Sequence, residues 1–508
     1  MAQDLILHGV PDRIRLDGWW LETTETPEPD IAQPMRANGS LMASLRMRQV
    51  IPLLGALVAL ADWLFWHQPV GLSLAIFAVV VSAAILAVKP ERPSLRSWGL
   101  AMGFALLCNL PVVIELQFLS LLFSLGGLIT LAAWALAGSS LTTGLILRMA
   151  LRLPAFGLVH LVKDTADALP PATYSSRLRH MAATLLLPLL MGAVFMGLLA
   201  NANPVLQAAL DSIDLRHLLR AEFWTRFLFW GCVASLLWPL LNLSESWIGA
   251  QTRPARATKA GPHRSSFLIN PLSVRNSLWL FNLMFGIQTL MDLSILTGGV
   301  SLPEGMNYAS YAHRGAYPLV ATALLAGLFT LLTRNMIGQD KVLRSLVYLW
   351  LAQNMILVAT AAIRLQHYVE AYALTYLRVA AFIWMALVLT GLLLTIWQIH
   401  RGFGTSWLLR RCLAALAITL YLSSLTNFAD IVARYNLTHG SALRGPDTYY
   451  ICSLGPGAYR TILDHEASTG HDICTRMIER DLERISIRNW REWGYRMWRL
   501  EAYDRAQN

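Results

Sequence analysis

The chain has 508 residues, 55% of them hydrophobic and 14% charged, with mean hydropathy +0.47, whereas an ordinary soluble domain carries about 25% charged residues. That balance excludes a soluble globule, for want of polar residues to cover one. The formal charge of +10 does not imply nucleic acid, because the basic residues are spread over short loops between apolar runs instead of forming one stripe.

Residues 1–48 contain Asp4, Asp12, Asp17, Glu22, Glu25, Glu28 and Asp30 among scattered prolines and no early apolar core, which reads as a polar cytoplasmic tail. A membrane-crossing helix needs about 20 apolar residues. Stretches that meet this need lie near 50–67, 69–88, 98–116, 117–138, 181–202, 222–243, 276–297, 317–337, 342–363, 372–398 and 406–430. The expectation is therefore an all-α integral membrane protein with a bundle of about eleven spans over 49–430, and a small helical extramembrane region over 431–508. Between the fourth and fifth runs, residues 139–180 read as an amphipathic interfacial helix broken at Pro154.

Arg and Lys concentrate in alternate loops: Lys89, Arg92 and Arg96; Arg148, Arg152 and Lys163; Arg253, Arg256 and Lys259; Arg334, Lys341 and Arg344; Arg401, Arg410 and Arg411. The intervening loops near His67 and Glu115 have none. Cytoplasmic loops retain positive charge, so the expected orientation has the N-terminus inside and the tail outside, in the periplasm of a bacterial inner membrane. The eleven arginines of the tail are interleaved with carboxylates, and long segments translocate largely regardless of charge. Cys452 and Cys474 are the one extramembrane cysteine pair, and an oxidising compartment would join them. Helices are expected near 458–467, 470–487 and 489–503, the last crowded with Trp490, Trp493, Tyr495, Trp498 and Tyr503 among arginines. Such a helix suits either the headgroup layer or the surface of its own small domain.

Ionisable groups inside spans are costly and by default mark a function or a buried pair. Asp62, Glu115, Asp292, Arg364, Arg378 and Asp430 all fall toward the outer ends of their predicted spans, and the outer loop 298–316 adds Glu304, Tyr311, His313 and Arg314. Together they form the candidate polar cluster, with Asp292 paired to Arg314, Arg364 or Arg378, His313 as a proton shuttle and arginine as a clamp for carboxylate or phosphate. Span ends that simply meet water, and a loop that caps the bundle, are the structural alternatives. There is no phosphate-binding glycine loop, no paired CxxC and no HExxH helix, so no cofactor, metal site or catalytic signature is read from the sequence.

The runs Phe281-Asn-Leu-Met-Phe-Gly-Ile-Gln288-Thr-Leu-Met-Asp292, Leu302-Pro-Glu-Gly305 and Tyr311-Ala-His-Arg-Gly315 resemble the core of the bacterial membrane family catalogued as domain of unknown function 4173, related to the 4153 group. The resemblance covers roughly residues 180–430, and Asn489-Trp490-Arg491-Glu492-Trp493 resembles the tryptophan-rich ending common in that group. It implies a multi-pass inner-membrane protein and no particular activity. Three functions stay open: a transporter-like protein with an outward-facing polar cavity, a membrane-embedded enzyme acting on a lipid or envelope precursor at the outer face, and a non-catalytic envelope sensor or assembly factor. The expected partner in every case is the lipid bilayer, with any protein partner or small-molecule substrate unidentified.

Overall fold

The computed structural model describes residues 50–88, 94–138, 141–168, 221–242, 271–296, 340–439, 447–485 and 487–507, with isolated positions at 188, 191, 322, 325 and 327–330. The polar tail 1–48, most of the expected spans 181–202 and 317–337, and the loop holding Glu304, Tyr311, His313 and Arg314 lie outside the described residues. The described elements are helical, and no strand occurs among them. In chain order they are α1 (Val50–Phe65), α2 (Leu72–Ala87), α3 (Leu95–Ile114), α4 (Phe118–Ala137), α5 (Thr143–Ala168), α6 (Ala221–Leu241), α7 (Pro271–Leu296), α8 (Lys341–Tyr372), α9 (Tyr376–Arg401) and α10 (Thr405–Leu425). The tail adds α11 (Phe428–His439), α12 (Thr448–Cys452), α13 (Pro456–Thr469), α14 (Thr475–Ile485), a 3-10 turn (Trp490–Glu492) and α15 (Tyr495–Gln507). Six described helices are long and apolar enough to cross a membrane: α3, α4, α6, α8, α9 and α10. The helices α1 and α2 are apolar but shorter. These six, among the described residues, do not confirm the expected count of about eleven.

Helix ends fall where the chain supplies a cap. Ser94 accepts the Ser97 N–H before α3, and Gln117 with Ser120 forms a capping box before α4. Asp340 accepts the Val342 N–H at 2.8 Å before α8, and Thr375 accepts the Arg378 N–H before α9. After α9, Gly402 takes the left-handed conformation (φ 70°) that a side chain disfavours. The apolar stretch expected at 342–363 belongs to a helix that continues to Tyr372, because the polar residues after Ile363 are good helix formers that hydropathy does not see. The run expected at 406–430 ends at Leu425, and Asp430 lies in the first turn of the separate helix α11. Helix α5 runs through Pro154 without the expected break.

The chain divides into two compact units, residues 1–59 with 152–242, and residues 60–151 with 243–508. In the first, α5 meets α6 with Gly157 directly over the carbonyl of Ser235; a Cβ on Gly157 would sit 2.0 Å from that oxygen. Pro239 stands four residues after Ser235 and has no N–H to offer that carbonyl. Asp164 accepts from Trp238 Nε1 at 3.0 Å and from Asn242 Nδ2 at 2.8 Å across the same contact.

In the second unit, α3 and α4 form a tight hairpin where Gly127 packs on Cys108, and Ser124 donates to Asn109 Oδ1 at 2.7 Å. Tyr421 of α10 donates to the Leu107 carbonyl at 2.8 Å, and Gln117 donates to Ser424 O at 2.8 Å. A second core joins α7, α8 and α9 through Val274, Leu278, Leu343, Val347, Trp350, Leu351 and Leu392. The tail has a core of its own, with Val432, Ile451, Ala458, Tyr459, Ile462 and Ile478 buried and continuous with Val369 and Leu374 at the α8–α9 turn.

Candidate functional site

Helices α7 and α8 pack with their residue numbers rising together: Asn282 meets Leu346 and Gln353, and ten residues further along α7 Asp292 meets Arg364. The two are therefore parallel neighbours. Gly286 faces Gln353 at this contact, where a Cβ would lie at ordinary van der Waals distance, 3.4 Å, from Gln353 Nε2.

Along this contact runs a seam of polar side chains in an otherwise apolar pair. Asn282 donates to the carbonyls of Leu278 at 2.8 Å and Leu346 at 3.0 Å, and Gln353 donates to Asn282 O at 3.1 Å. Farther along, Gln288 Nε2 donates to Asp292 Oδ1 at 2.9 Å while Arg364 Nη2 ion-pairs with Asp292 Oδ2. Both charged residues are buried, Asp292 at 2% exposure and Arg364 at 7%. The amides point their N–H groups at backbone carbonyls, which leaves Asn282 Oδ1 and Gln353 Oε1 buried with no hydrogen-bond partner among the described residues, as is Trp350 Nε1. Trp350 is held by Phe281, Phe285 and Phe329 at ring separations of 5.2, 6.0 and 5.6 Å. The seam thus offers two acceptors and one donor in its middle and a charged pair at its end. It can exchange hydrogen bonds with a small polar species, and either member of the pair can trade its partner for a solute ion.

The other sequence candidates do other things. Arg378 donates to the carbonyls of Tyr372 at 2.6 Å and of Ala373, and lies 4.0 Å over the Tyr368 ring. It closes the α8–α9 turn, where Ala373 holds φ 67°, while Arg364 is the described arginine that pairs with Asp292; Arg314 lies outside the described residues. Glu115 pairs with Arg496 of α15, whose Nη2 also donates to Leu425 O at 2.9 Å. Asp430 accepts from Thr461 Oγ1 of α13 and pairs with Arg434 at 3.3 Å. Asp62 stands near the end of α1, its carbonyl accepting from Trp66 N at 3.0 Å. Of the described candidates, Asp292 and Arg364 are the two that share a buried site; Glu115, Arg378 and Asp430 fasten turns and tail. Among the described residues no group of three or more His, Cys, Asp or Glu is placed to hold a metal ion.

Sequence reasoning missed the fastening role of Asn436, whose side chain both accepts from Leu374 N at 2.7 Å and donates to Leu374 O at 2.9 Å. It also missed Glu466, whose carboxylate accepts from Ile473 N, Cys474 N and Thr475 Oγ1 at 2.7, 2.6 and 2.8 Å and so caps the start of α14. Next to that cap, Cys452 and Cys474 are joined by a disulfide with Cα atoms 5.7 Å apart. Tyr459 donates to Asp481 Oδ2 at 2.5 Å. Burial, then the hydrogen bond and charge of Asp481, push its phenol well above the ordinary tyrosine range.

A family model described as Domain of unknown function (DUF4153) matches residues 101–465, a wider stretch than the resemblance covers, and the matched group is the one the sequence named as a relative. No curated protein and no solved structure matches the chain.

Proposed function

Because the chain belongs to the DUF4153 family, whose description names no activity, we propose a function from the geometry: a multi-pass, transporter-like protein of the bacterial inner membrane, its N-terminus cytoplasmic and its tail periplasmic. The seam between α7 and α8 is its polar site. The observation that carries this reading is the Asp292–Arg364 pair, desolvated between apolar helices and continued by Gln288, Gln353 and Asn282 toward the middle of α7. A charge in a membrane helix costs at least about 2.5–3.5 kcal/mol on insertion scales. A pair kept at that cost, beside unmatched acceptors, suits a solute that competes for it: a cation or proton for Asp292, or a carboxylate or phosphate for the planar fork of Arg364. The joined cysteines and the concentration of Arg and Lys in alternate loops support the orientation.

The test replaces both charges at once. Apolar residues of similar volume in place of a buried pair are often neutral or stabilising, so Asp292→Leu with Arg364→Met should leave protein abundance near wild type in a deletion strain while failing to restore its phenotype. Restoration of the phenotype by this double variant would make the pair structural glue and overturn the reading. Should the double variant accumulate poorly, the charge swap Asp292→Arg with Arg364→Asp decides: abundance with phenotype marks glue, abundance without phenotype marks a site.

The reading as a sensor or assembly factor has one observation in its favour, a tail that folds around its own core and is fastened to several helix turns. In that case substitutions on the tail surface abolish function and the Asp292–Arg364 double variant does not.

A further inference from the structure

The segment Asn489–Arg499 lies across the ends of membrane helices. Asn489 Nδ2 donates to Gln68 Oε1 at 3.2 Å, and Trp493 O accepts the N–H of Leu72 at 2.9 Å, completing the first turn of α2. Gly71 packs against the Glu492 backbone so closely that a Cβ would come within 2.5 Å. Gly494 faces the Ile114 carbonyl at the end of α3, and Arg496 binds Glu115 and the end of α10. The depth of this segment is therefore set by where α3 and α10, both long and apolar enough to span, come to an end.

At that depth the segment turns large aromatic groups outward. Trp490, Tyr495 and Trp498 are 45, 41 and 43% exposed, and Trp63 beside them on α1 is 58% exposed. Trp490 lies 6.0 Å from Trp63, and Trp498 lies 6.1 Å from Tyr495 and 6.4 Å from Trp493. Cations are threaded through them: the Arg491 guanidinium is 4.7 Å from the Trp63 ring and 5.2 Å from Trp490, and Arg499 is 5.9 Å from Tyr495. Arg491 Nε has no hydrogen-bond partner among the described residues. Glu492 accepts the Asn489 N–H and Glu115 pairs with Arg496, and with Arg491, Arg496 and Arg499 against Glu492 the segment is aromatic and net positive.

We infer that this aromatic and arginine collar is a lipid-binding surface that seats residues 489–499 in the headgroup layer, with the indole rings at the glycerol level and Arg491 and Arg499 on phosphates of anionic phospholipid. Trp and Tyr favour that layer because their rings have an apolar body and a polar edge. Arginine stacked on an aromatic ring keeps its remaining N–H groups for phosphate. The collar thereby fixes the tail domain at the membrane surface, independently of what the α7–α8 seam does.

The test uses the full chain in vesicles of equal parts phosphatidylcholine and phosphatidylglycerol, with the phosphatidylcholine brominated near the headgroup end of its chains. Trp490→Phe with Trp498→Phe keeps aromatic packing and removes two of the 18 tryptophans. The emission lost in this variant should be emission that brominated lipid quenches and aqueous iodide does not. An unchanged lipid-quenchable fraction, or lost emission that iodide reaches, would overturn the proposal. Arg491→Gln with Arg499→Gln should lose the phosphatidylglycerol retained by the purified protein in native mass spectrometry, and undiminished retention sinks the phosphate contact.

Discussion

Asp292 and Arg364 illustrate how much a single pair can weigh in an apolar setting. Removing one member of a buried pair strands the other and costs about 3–5 kcal/mol, a large fraction of the 5–15 kcal/mol typical of a whole domain. That is why single substitutions here report on folding, and only the paired replacements above report on function. Outside the membrane helices, Tyr459 makes a pH prediction. Its folded-state pKa is raised, so its contribution to stability is complete below the ordinary tyrosine value of about 10 and is lost as pH climbs toward the higher folded value. The tail should therefore unfold at lower temperature as pH rises beyond about 10. Tyr459→Phe should flatten that dependence in thermal scans followed by near-ultraviolet circular dichroism, and an identical pH slope in the variant would discard the assignment.

The crossing of α5 and α6 depends on two residues that suit each other. Pro239 supplies no N–H to the Ser235 carbonyl, and Gly157 lets the neighbouring backbone come up against it, a geometry that admits a weak Cα–H contact to the oxygen. Gly157→Ala places a methyl group 2.0 Å from that oxygen. It should destabilise by about 1–3 kcal/mol, as overpacking does, and lower the melting temperature of the purified protein. Pro239→Ala restores the missing N–H and should be far milder. Equal effects of the two substitutions would mean that the crossing is not governed by this contact. The same element scale explains where hydropathy misplaced helix ends. The apolar stretch of α8 is long enough to cross a membrane, while the helix continues through Arg364-Leu-Gln-His-Tyr-Val-Glu-Ala to Tyr372. Conversely α10 stops at Leu425 although Phe428 and Ala429 prolong the apolar run, because Thr426 is extended and a new helix begins at Phe428.

Across the whole molecule, the tail is fastened to the turns of the bundle. Asn436 grips the turn between α8 and α9, Arg496 joins those after α3 and α10, and Trp493 meets the start of α2. Within the tail, the Cys452–Cys474 disulfide closes a segment of 22 residues, a loop for which chain entropy gives a stabilisation of about 3 kcal/mol. Cys452→Ser with Cys474→Ser, or treatment with reductant, should therefore lower the temperature at which the tail unfolds and leave the helices of the bundle formed by far-ultraviolet circular dichroism. Coincident loss of both would show that tail and bundle unfold as one unit.

The membrane-helix character follows from the sequence by itself, because about 20 consecutive apolar residues have no other stable use in a polar solvent. Position also follows: the charges near one end of each run, the aromatic crowding of the last segment and the family-specific runs at 281–292 and 311–315 are all local patterns. Pairing does not. Asp292 had Arg364 and Arg378 among its described candidates, and its pairing with Arg364 depends on α7 and α8 lying parallel at their contact. Glu115 looked like a member of the same cluster until the fold brought Arg496, 381 residues away, onto it. Sequence spacing says how far along its own helix a charge stands, and only the packing of one helix on another says which opposite charge shares its low-dielectric surroundings.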